Sequence, residues 1–552
     1  MKIVLTAVNA KYIHTALGIR ALSAYVKSPD IELAEFTVNE RAEDVLSAVY
    51  ERGADIVMFS CYIWNIGFIL KLASSLKQIA PDTVIVFGGP EVSYDDMMYM
   101  EKYSFIDAVI RGEGEETLAE IAASGSLDTA GVTLRGGGAI KRNPDRAPVC
   151  DINKLPFPYS ERELDRNREK LLYYEASRGC PFRCSYCLSS TVHSVRMRDI
   201  ETVERELALF AAHDARIVKL TDRTFNADRK RAAELLRFLS TLEGRTQYHF
   251  EVAADLIDDE LIGILKAAPE GRFLLEIGVQ STNPKTLAAI DRKTELEKIY
   301  AAVRELRGHA HMHLDLIAGL PYEDLGSFEK SFNDVMALRP DVLQLGFLKL
   351  LRGTKLRDDA ARHGYRFTEY PPYEVLGNDY ISYEELLKLK RVERVLESYY
   401  NSGAFENAMG YLLDAAETPY KLFEHIAEHF AENGYFEIGL SRERLYSILA
   451  GLFDDALFRD LLKLDYFINA NNPSTPPWAN EPFDSSLLKR RFGIIERCME
   501  RGELAEYAGM PLKEVIKHVC AERFSYDVLG DKKPRENVIL FDKRGGGAVR
   551  AE

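Results

Sequence analysis

The chain has 552 residues, 46% hydrophobic and 28% charged, with a formal net charge of −15 at pH 7. That balance belongs to a globular protein of about three domains and excludes a disordered or fibrous one. The acidic excess argues against a broad nucleic-acid-binding surface, and no apolar run is long enough to span a bilayer.

The chain opens with MKIVLTAVNAKY, which reads directly into a strand and not into the basic, apolar and small-residue regions of a secretory leader. Seven cysteines, three of them in one short stretch, fit a reducing compartment better than a disulfide framework. A cytoplasmic protein without membrane contact is expected.

Residues 1–150 alternate strand candidates (2–8, 31–38, 55–61, 83–89 and 107–114) with amphipathic helical patterns such as ALGIRALSAYV and IGFILKLASSLKQIA. Apolar strands between crossover helices imply a parallel, doubly wound sheet, with ligands beyond the carboxyl ends of its strands. Those ends carry Asn9 and Tyr12, then Ser60, Tyr62 and Asn65, then Gly88, Gly89 and Glu91, then Gly112 and Glu113. Glycines there let a backbone approach a large flat ligand, although each alone is also an ordinary turn residue. GVTLRGGGAIKRN, ending at 143, reads as a hairpin, and KLPFPYS (154–160) as a proline-stiffened linker.

Cys180, Cys184 and Cys187 then form C-x3-C-x2-C in YYEASRGCPFRCSYCLS (173–189). Three thiolates can hold three irons of a [4Fe–4S] cubane and leave the fourth open, which an electron carrier does not need and a catalyst does. A zinc knuckle and three unrelated buried cysteines are the other readings. Structural zinc normally takes four protein ligands, and no His or Cys follows closely enough to be the fourth. Cys61, Cys150, Cys498 and Cys520 are scattered and read as small core residues. Across 165–365, six strand-like segments (171–178, 216–222, 248–255, 273–281, 311–321 and 342–351) alternate with helices. Such units build a parallel barrel or partial barrel whose active face lies at the strand C-termini.

The cysteine spacing and the motifs behind it resemble the radical S-adenosylmethionine (SAM) superfamily, above all its coproporphyrinogen-oxidase-like and methylthiotransferase-like branches. The strand-end series of the first 120 residues resembles the cobalamin-binding domain of the B12-binding radical SAM family. The resemblance implies a [4Fe–4S] cluster on Cys180, Cys184 and Cys187, with SAM on the open iron. It places Thr221 and Asp222 at the SAM amino group, Glu251 and Gln280 (in Gly278-Val279-Gln280-Ser281) at the ribose, and Ile317, of the Asp315-x-Ile317 motif, on adenine. Tyr186 falls where the backbone lies near adenine, and Arg292 on the SAM carboxylate, a task its planar fork suits. Arg352 stands where the family usually has proline.

For cobalamin the resemblance implies Asn9, Tyr12, Ser60, Tyr62, Asn65, Gly88, Gly89, Glu91, Gly112 and Glu113. The Asp-x-His-x-x-Gly of domains that ligate cobalt from below has no match. His14, in YIHTALG, lacks the Asp and the glycine spacing, so no protein histidine on cobalt is expected. A degenerate, cofactor-free domain is the alternative.

Residues 366–552 show helical periodicity, with Tyr, Phe and Leu stripes read as packing core. NANNPSTPPWANEPFD (469–484), with Trp478, reads as a connector sooner than a lid. A terminal hairpin turning at DKKPRE and a frayed GGGAVRAE are expected. The region resembles the helical extension of a B12-domain radical SAM subgroup. It lacks a second cluster signature, and the first domain has only Cys61 and Cys150, which argues against tRNA methylthiolation. The fold class is therefore α/β: a Rossmann-like cobalamin-type domain, a partial (β/α)6 barrel and a helical domain.

The implied activity is reductive SAM cleavage to a 5′-deoxyadenosyl radical, used with cobalamin to methylate an unactivated carbon, with flavodoxin or ferredoxin as reductant. Rearrangement, cleavage or reduction over a scaffold-only first domain is the alternative enzyme. A cluster- or cobalamin-based sensor is the non-enzymatic one. His193, Arg196 and Arg198 read as solvated helix-entry residues that could instead face substrate.

Overall fold

A computed structural model describes the chain except for His193, residues 471–475 and 480–484, residues 544–546 and Glu552. The first sheet contains β1 (Ile3–Asn9), β2 (Ile31–Thr37), β3 (Ile56–Ser60), β4 (Val84–Gly88) and β5 (Ala108–Ile110), all parallel, in the order β2-β1-β3-β4-β5. Both faces are covered, as a doubly wound sheet requires. Val57, Phe59, Ile85 and Phe87 pack under helix Ile66–Ile79, while Ile56, Met58 and Val86 share a second core with Leu118 and Ile121 of helix Glu115–Ser124. The order reverses between β1 and β3, so the loops after these strands diverge and open a crevice. An antiparallel pair, β6 (Val132–Gly136) and β7 (Ala139–Arg142), extends the edge. Its two-residue turn needs positive φ twice and has Gly137 and Gly138, at 59° and 81°.

After the linker come β8 (Leu171–Tyr174), a short ribbon of β9 (Ser177–Arg178) and β10 (Arg196–Met197), then β11 (Ile217–Leu220), β12 (Gln247–Val252), β13 (Phe273–Gln280), β14 (His311–Ala318) and β15 (Val342–Phe347). The main strands are parallel, in the order β15-β14-β13-β12-β11-β8, which is the expected six-strand partial barrel. The free edge of β8 is met by the loop after β1: Leu171 N donates to the Ile13 carbonyl (2.8 Å), and Thr15 Oγ1 to the Leu171 carbonyl (3.0 Å). The first domain thus supplies a short piece of the barrel wall.

Along β14 the even residues Met312 to Ala318 are buried and the odd ones, His311 to Ile317, are only half-buried. Period-two alternation puts the odd set on the lumen face. Inside, Lys219 Nζ lies 2.7 Å and His249 Nε2 3.0 Å from Glu276 Oε2, and the His313 ring is 6.0 Å from His249. Residues 366–386, which include β16 (Arg366–Phe367) and β17 (Val375–Gly377), belong to the first compact unit, Met1–Leu386. Sequence assigned them to the helical region. Asn378 Nδ2 and Tyr365 Oη both donate to the Gly319 carbonyl at the end of β14, which ties this segment to the barrel (2.9 Å each).

The second unit, Leu387–Glu552, is mainly helical, with Tyr399, Tyr420, Tyr446 and Tyr507 wholly buried. Trp478 stacks on Tyr446 and meets Tyr466 edge-on, so it packs on the helices as a connector residue does. The connector's remaining residues 471–475 and 480–484 lie outside the described ones. The terminal hairpin exists as β18 (Val519–Tyr526) and β19 (Pro534–Asp542), and a third strand, β20 (Ala548–Arg550), pairs where fraying was expected. Its backbone donors are satisfied by β19, which local composition could not reveal. Among the described residues no helix is long and apolar enough to cross a membrane.

Burial pushes the Glu276 carboxyl up, but the His249 hydrogen bond and the Lys219 charge outweigh it and hold the group at about 2. A carboxylate held below its ordinary range stabilises the fold above about pH 5, and that stability is lost as pH falls toward 2. The expected size is about 3 kcal/mol. Denaturant titrations of Glu276→Gln should show lower stability at pH 7 and no such acid-dependent loss.

Candidate active site

The chain leaves β8 through Glu175 and enters the β9–β10 ribbon, whose connecting loop carries Cys180, Cys184 and Cys187. Gly179 starts the loop at φ +96°, where a Cβ would collide with the Ser194 carbonyl oxygen. Asp222, at the end of β11, is 3% exposed and accepts from Ala176 N (2.9 Å) and Ser177 Oγ (2.6 Å). Burial pushes its carboxyl up to about 6 against the pull of these bonds. Sequence placed Asp222 at the SAM amino group, but both its oxygens hold the strand that leads into the thiol loop. Thr221 is likewise engaged, its N–H on the Tyr174 carbonyl (2.8 Å).

Cys184 is buried and the other two thiols are half-buried. Among the described residues no three His, Cys, Asp or Glu side chains gather round one point where a single metal ion could sit. A cubane instead takes each thiolate on a different iron, so its ligands need not converge on one point. Arg292 Nη1 donates to Cys184 Sγ (3.6 Å) and Nη2 to the Gly278 carbonyl. Burial pushes the Cys184 thiol up, and Arg292 opposes it. Tyr186, two residues on, is half-buried.

The parallel pairing of β13 with β14 slips between Gly278 and Gln280, and Gln280 takes φ +71°. Around the slip lie three groups with unpaired polar atoms: Gln280 Oε1, Arg292 Nε, whose Nη2 holds the Gly278 carbonyl, and Asp315 Oδ1, on the β14 residue paired with Gly278. Burial and the neighbouring Glu276 push the Asp315 carboxyl well up. Glu251 lies 3.9 Å from both Lys219 and Arg223, and Ile317 is half-buried beyond Asp315. Ser281 differs from expectation. It is fully buried and its hydroxyl donates to Glu323 Oε1 (2.6 Å).

Of the aromatic cobalamin candidates, Tyr12 stays open and Tyr62 is half-buried. Tyr12 is 76% exposed, and Tyr62 stacks at 4.2 Å on Trp64, itself 50% exposed. Gly112, at φ +70°, has open space where a Cβ would be, whereas Gly89 is packed on the Cys61 backbone and Gly88 accepts from Cys61 N (2.7 Å). The polar candidates are engaged within the protein. Asn9 Nδ2 donates to Glu35 (2.8 Å), and Asn65 Nδ2 to the Val8 and Ser60 carbonyls. Glu91, 3% exposed, accepts from Tyr99 (2.8 Å) and Tyr373, and Glu113 pairs with Arg178 and Arg196. Small carboxylates at strand ends look the same in sequence whether they serve a ligand or the loop itself.

The arginine in place of proline has a structural account. Arg352 Nε donates to Tyr373 Oη (2.7 Å), its guanidinium lies over that ring, and it pairs with Asp95 and Glu91 of the loop after β4. Arg196 and Arg198 are not solvated. Arg198 is 5% exposed and pairs with Glu206 at 2.8 Å. His193 lies outside the described residues.

The B12-binding domain model matches residues 3–122, and the radical SAM superfamily model matches residues 174–335. The chain thus joins a B12-binding domain to a radical SAM domain. Residues 361–541 match a third model, a protein of unknown function (DUF4080). The chain is 28% identical over 310 residues to the cobalamin-dependent radical SAM methyltransferase TokK of Streptomyces tokunonensis, which is 51% of this chain and 45% of TokK. It thus spans less than half the length of that relative. Two solved structures share the fold. The cobalamin-dependent SAM radical enzyme OxsB has a TM-score of 0.58 at 15% identity over 89% of this chain and 84% of OxsB. The radical SAM methyltransferase TsrM of Kitasatospora setae has 0.56 at 18%, over 68% of this chain and 79% of TsrM.

Sequence reading missed the Lys219–Glu276–His249 cluster and the contact of His14 Nδ1 with Tyr173 Oη (2.7 Å). The alternation of polar residues through otherwise apolar strands, as in HMHLDL, was the available signal.

Gly179→Ala should sharply lower iron uptake on anaerobic reconstitution, because a backbone oxygen blocks the Cβ at a left-handed φ. At Gly278 a Cβ would collide with the Gln280 side-chain amide and only touch Arg292 Nη2, with no backbone in the way. Gly278→Ala should therefore keep its iron and raise the SAM Kd, by about tenfold if one hydrogen bond to Gln280 is lost.

Proposed function

We propose that this chain is a cobalamin-dependent radical SAM enzyme that methylates an unactivated carbon of its substrate, working in the cytoplasm with a flavodoxin- or ferredoxin-type reductant. The observation that carries the reading is the set of unpaired polar atoms on Gln280, Arg292 and Asp315, gathered at one barrel mouth beside three thiols. Buried polar groups are normally satisfied, so three orphans at one place point to a polar ligand. A sulfonium cosubstrate bearing an amino acid carboxylate and a ribose fits them.

Cys180, Cys184 and Cys187 would hold a [4Fe–4S] cluster. Arg292, already oriented by Gly278 and Cys184, would pair with the SAM carboxylate. Glu251 and Gln280 would accept from the ribose hydroxyls, and Asp315, whose carboxyl burial pushes well up, would offer its unpaired Oδ1 beside them. Ile317 and the Tyr186 backbone would lie along adenine. When bound, cluster and SAM supply a 5′-deoxyadenosyl radical and methylcobalamin supplies the methyl group.

The first domain fits a flat ligand through Tyr12, Tyr62, Trp64 and the open Gly112, and not through Asn65 or Glu91. Exposed large apolar side chains are costly unless something covers them. Tyr12, Ile13, Trp64 and Tyr94, all at least 41% exposed, stand on the loops after β1, β3 and β4. Tyr94 Oη also reaches Thr191 Oγ1 on the thiol loop (2.9 Å), which closes part of the mouth to water.

Anaerobically reconstituted protein should show cluster absorbance, take up about one cobalamin per chain and convert SAM to both 5′-deoxyadenosine and S-adenosylhomocysteine when given substrate. Replacing the three cysteines by alanine should abolish iron and deoxyadenosine together. Deoxyadenosine without S-adenosylhomocysteine would overturn methyl transfer. Tyr12→Ala with Trp64→Ala should weaken cobalamin retention while moving stability by no more than about 0.5 kcal/mol, since both are exposed.

A further inference from the structure

The ribbon that frames the thiol loop contains an electrostatic conflict. Arg178 of β9 and Arg196 of β10 are direct cross-strand partners, and their side chains are only 13% and 12% exposed. Like charges directly opposite in an antiparallel pair destabilise it, more so when desolvated. Arg178 has two carboxylates of its own, Glu115 at 2.5 Å and Glu175 at 2.8 Å. Arg196 has one. Among the described residues Glu113 is its sole ion-pair partner, through Oε1 at 2.5 Å from Nη2 and Oε2 at 3.1 Å from Nη1. The same Oε2 lies 3.2 Å from Arg178 Nη1 and accepts from Val149 N at 2.8 Å. Glu113 belongs to the first domain, on the loop after β5, yet it sits between two arginines of the barrel's ribbon.

We infer that Glu113 is a positioning residue for the thiol loop: its carboxylate neutralises the Arg178–Arg196 pair and thereby fixes the ribbon on which Cys180, Cys184 and Cys187 are hung. Without it Arg196 is a buried cation with no counter-charge, facing a second cation across the ribbon, and the loop's two ends separate. The first domain then has a duty toward the barrel's thiols that does not depend on what it binds. The part of the inference that concerns iron rests on the cluster reading above. The part that concerns the ribbon does not.

The test compares wild type with Glu113→Gln, Arg196→Gln and the double variant in two measurements. One is amide hydrogen exchange of residues 177–198 in the metal-free full chain, and the other is iron loss from reconstituted protein to a chelator. Glu113→Gln should exchange and lose iron about tenfold faster or more, while the double variant, with one arginine left and its own carboxylates intact, should return close to wild type. Arg196→Gln alone should change little. The inference is overturned if Glu113→Gln leaves both rates unchanged, if the double variant is as loose as the single, or if Glu113→Gln loses cobalamin while the ribbon stays protected. Should Glu113→Gln fail to fold, a folded double variant still supports the inference and an unfolded one refutes it. A wild type that takes up no iron refutes the cluster reading and leaves the exchange comparison to decide the rest.

Discussion

The two hydrogen bonds that Asp222 accepts from Ala176 and Ser177 fix the path of the chain where it leaves the first barrel strand. Everything at the mouth is placed relative to that path. A buried carboxylate is expensive to desolvate, and here a backbone donor and a hydroxyl offset the cost. From that anchor the chain passes Arg178, takes the left-handed turn at Gly179 and enters the thiol loop, so the thiols inherit their position from a residue on a different strand.

The mouth divides its polar groups into two kinds. Asp222, Ser281, Asn65 and Glu91 have their polar atoms engaged by the protein, and they make loops rigid. Gln280, Arg292 and Asp315 each retain an unpaired polar atom. Binding and catalytic groups need rigid support together with unused hydrogen-bonding capacity, and the two kinds alternate closely enough to supply both. The register slip in β13 shows the coupling. It leaves Gly278 to hold Arg292 through its carbonyl and lifts Gln280 into the mouth.

The first domain and the barrel also interlock at three places. The loop after β1 extends the sheet at β8, the loop after β4 meets Arg352 and Tyr373, and the loop after β5 meets the ribbon. The crevice of the doubly wound sheet is therefore held against the barrel mouth by charged and backbone contacts.

Most of the fold was legible in the sequence. The five parallel strands, the glycine hairpin and the six barrel strands follow from apolar runs separated by helical periods, because burial on both faces leaves little else such runs can be. The thiol loop was legible too, since three cysteines so close together need no long-range information. The roles of single polar residues were not. The resemblance assigns Asp222 and Ser281 to SAM and Glu91 and Glu113 to cobalamin, yet each is claimed by a partner between 8 and 282 positions away in the chain. Spacing along a chain reports which residues arrive at a strand end, while hydrogen-bond saturation depends on what the rest of the fold brings there. Sequence by itself determined the architecture and the thiols; only the tertiary structure decided which polar atoms are left over, because that is settled by packing between distant segments.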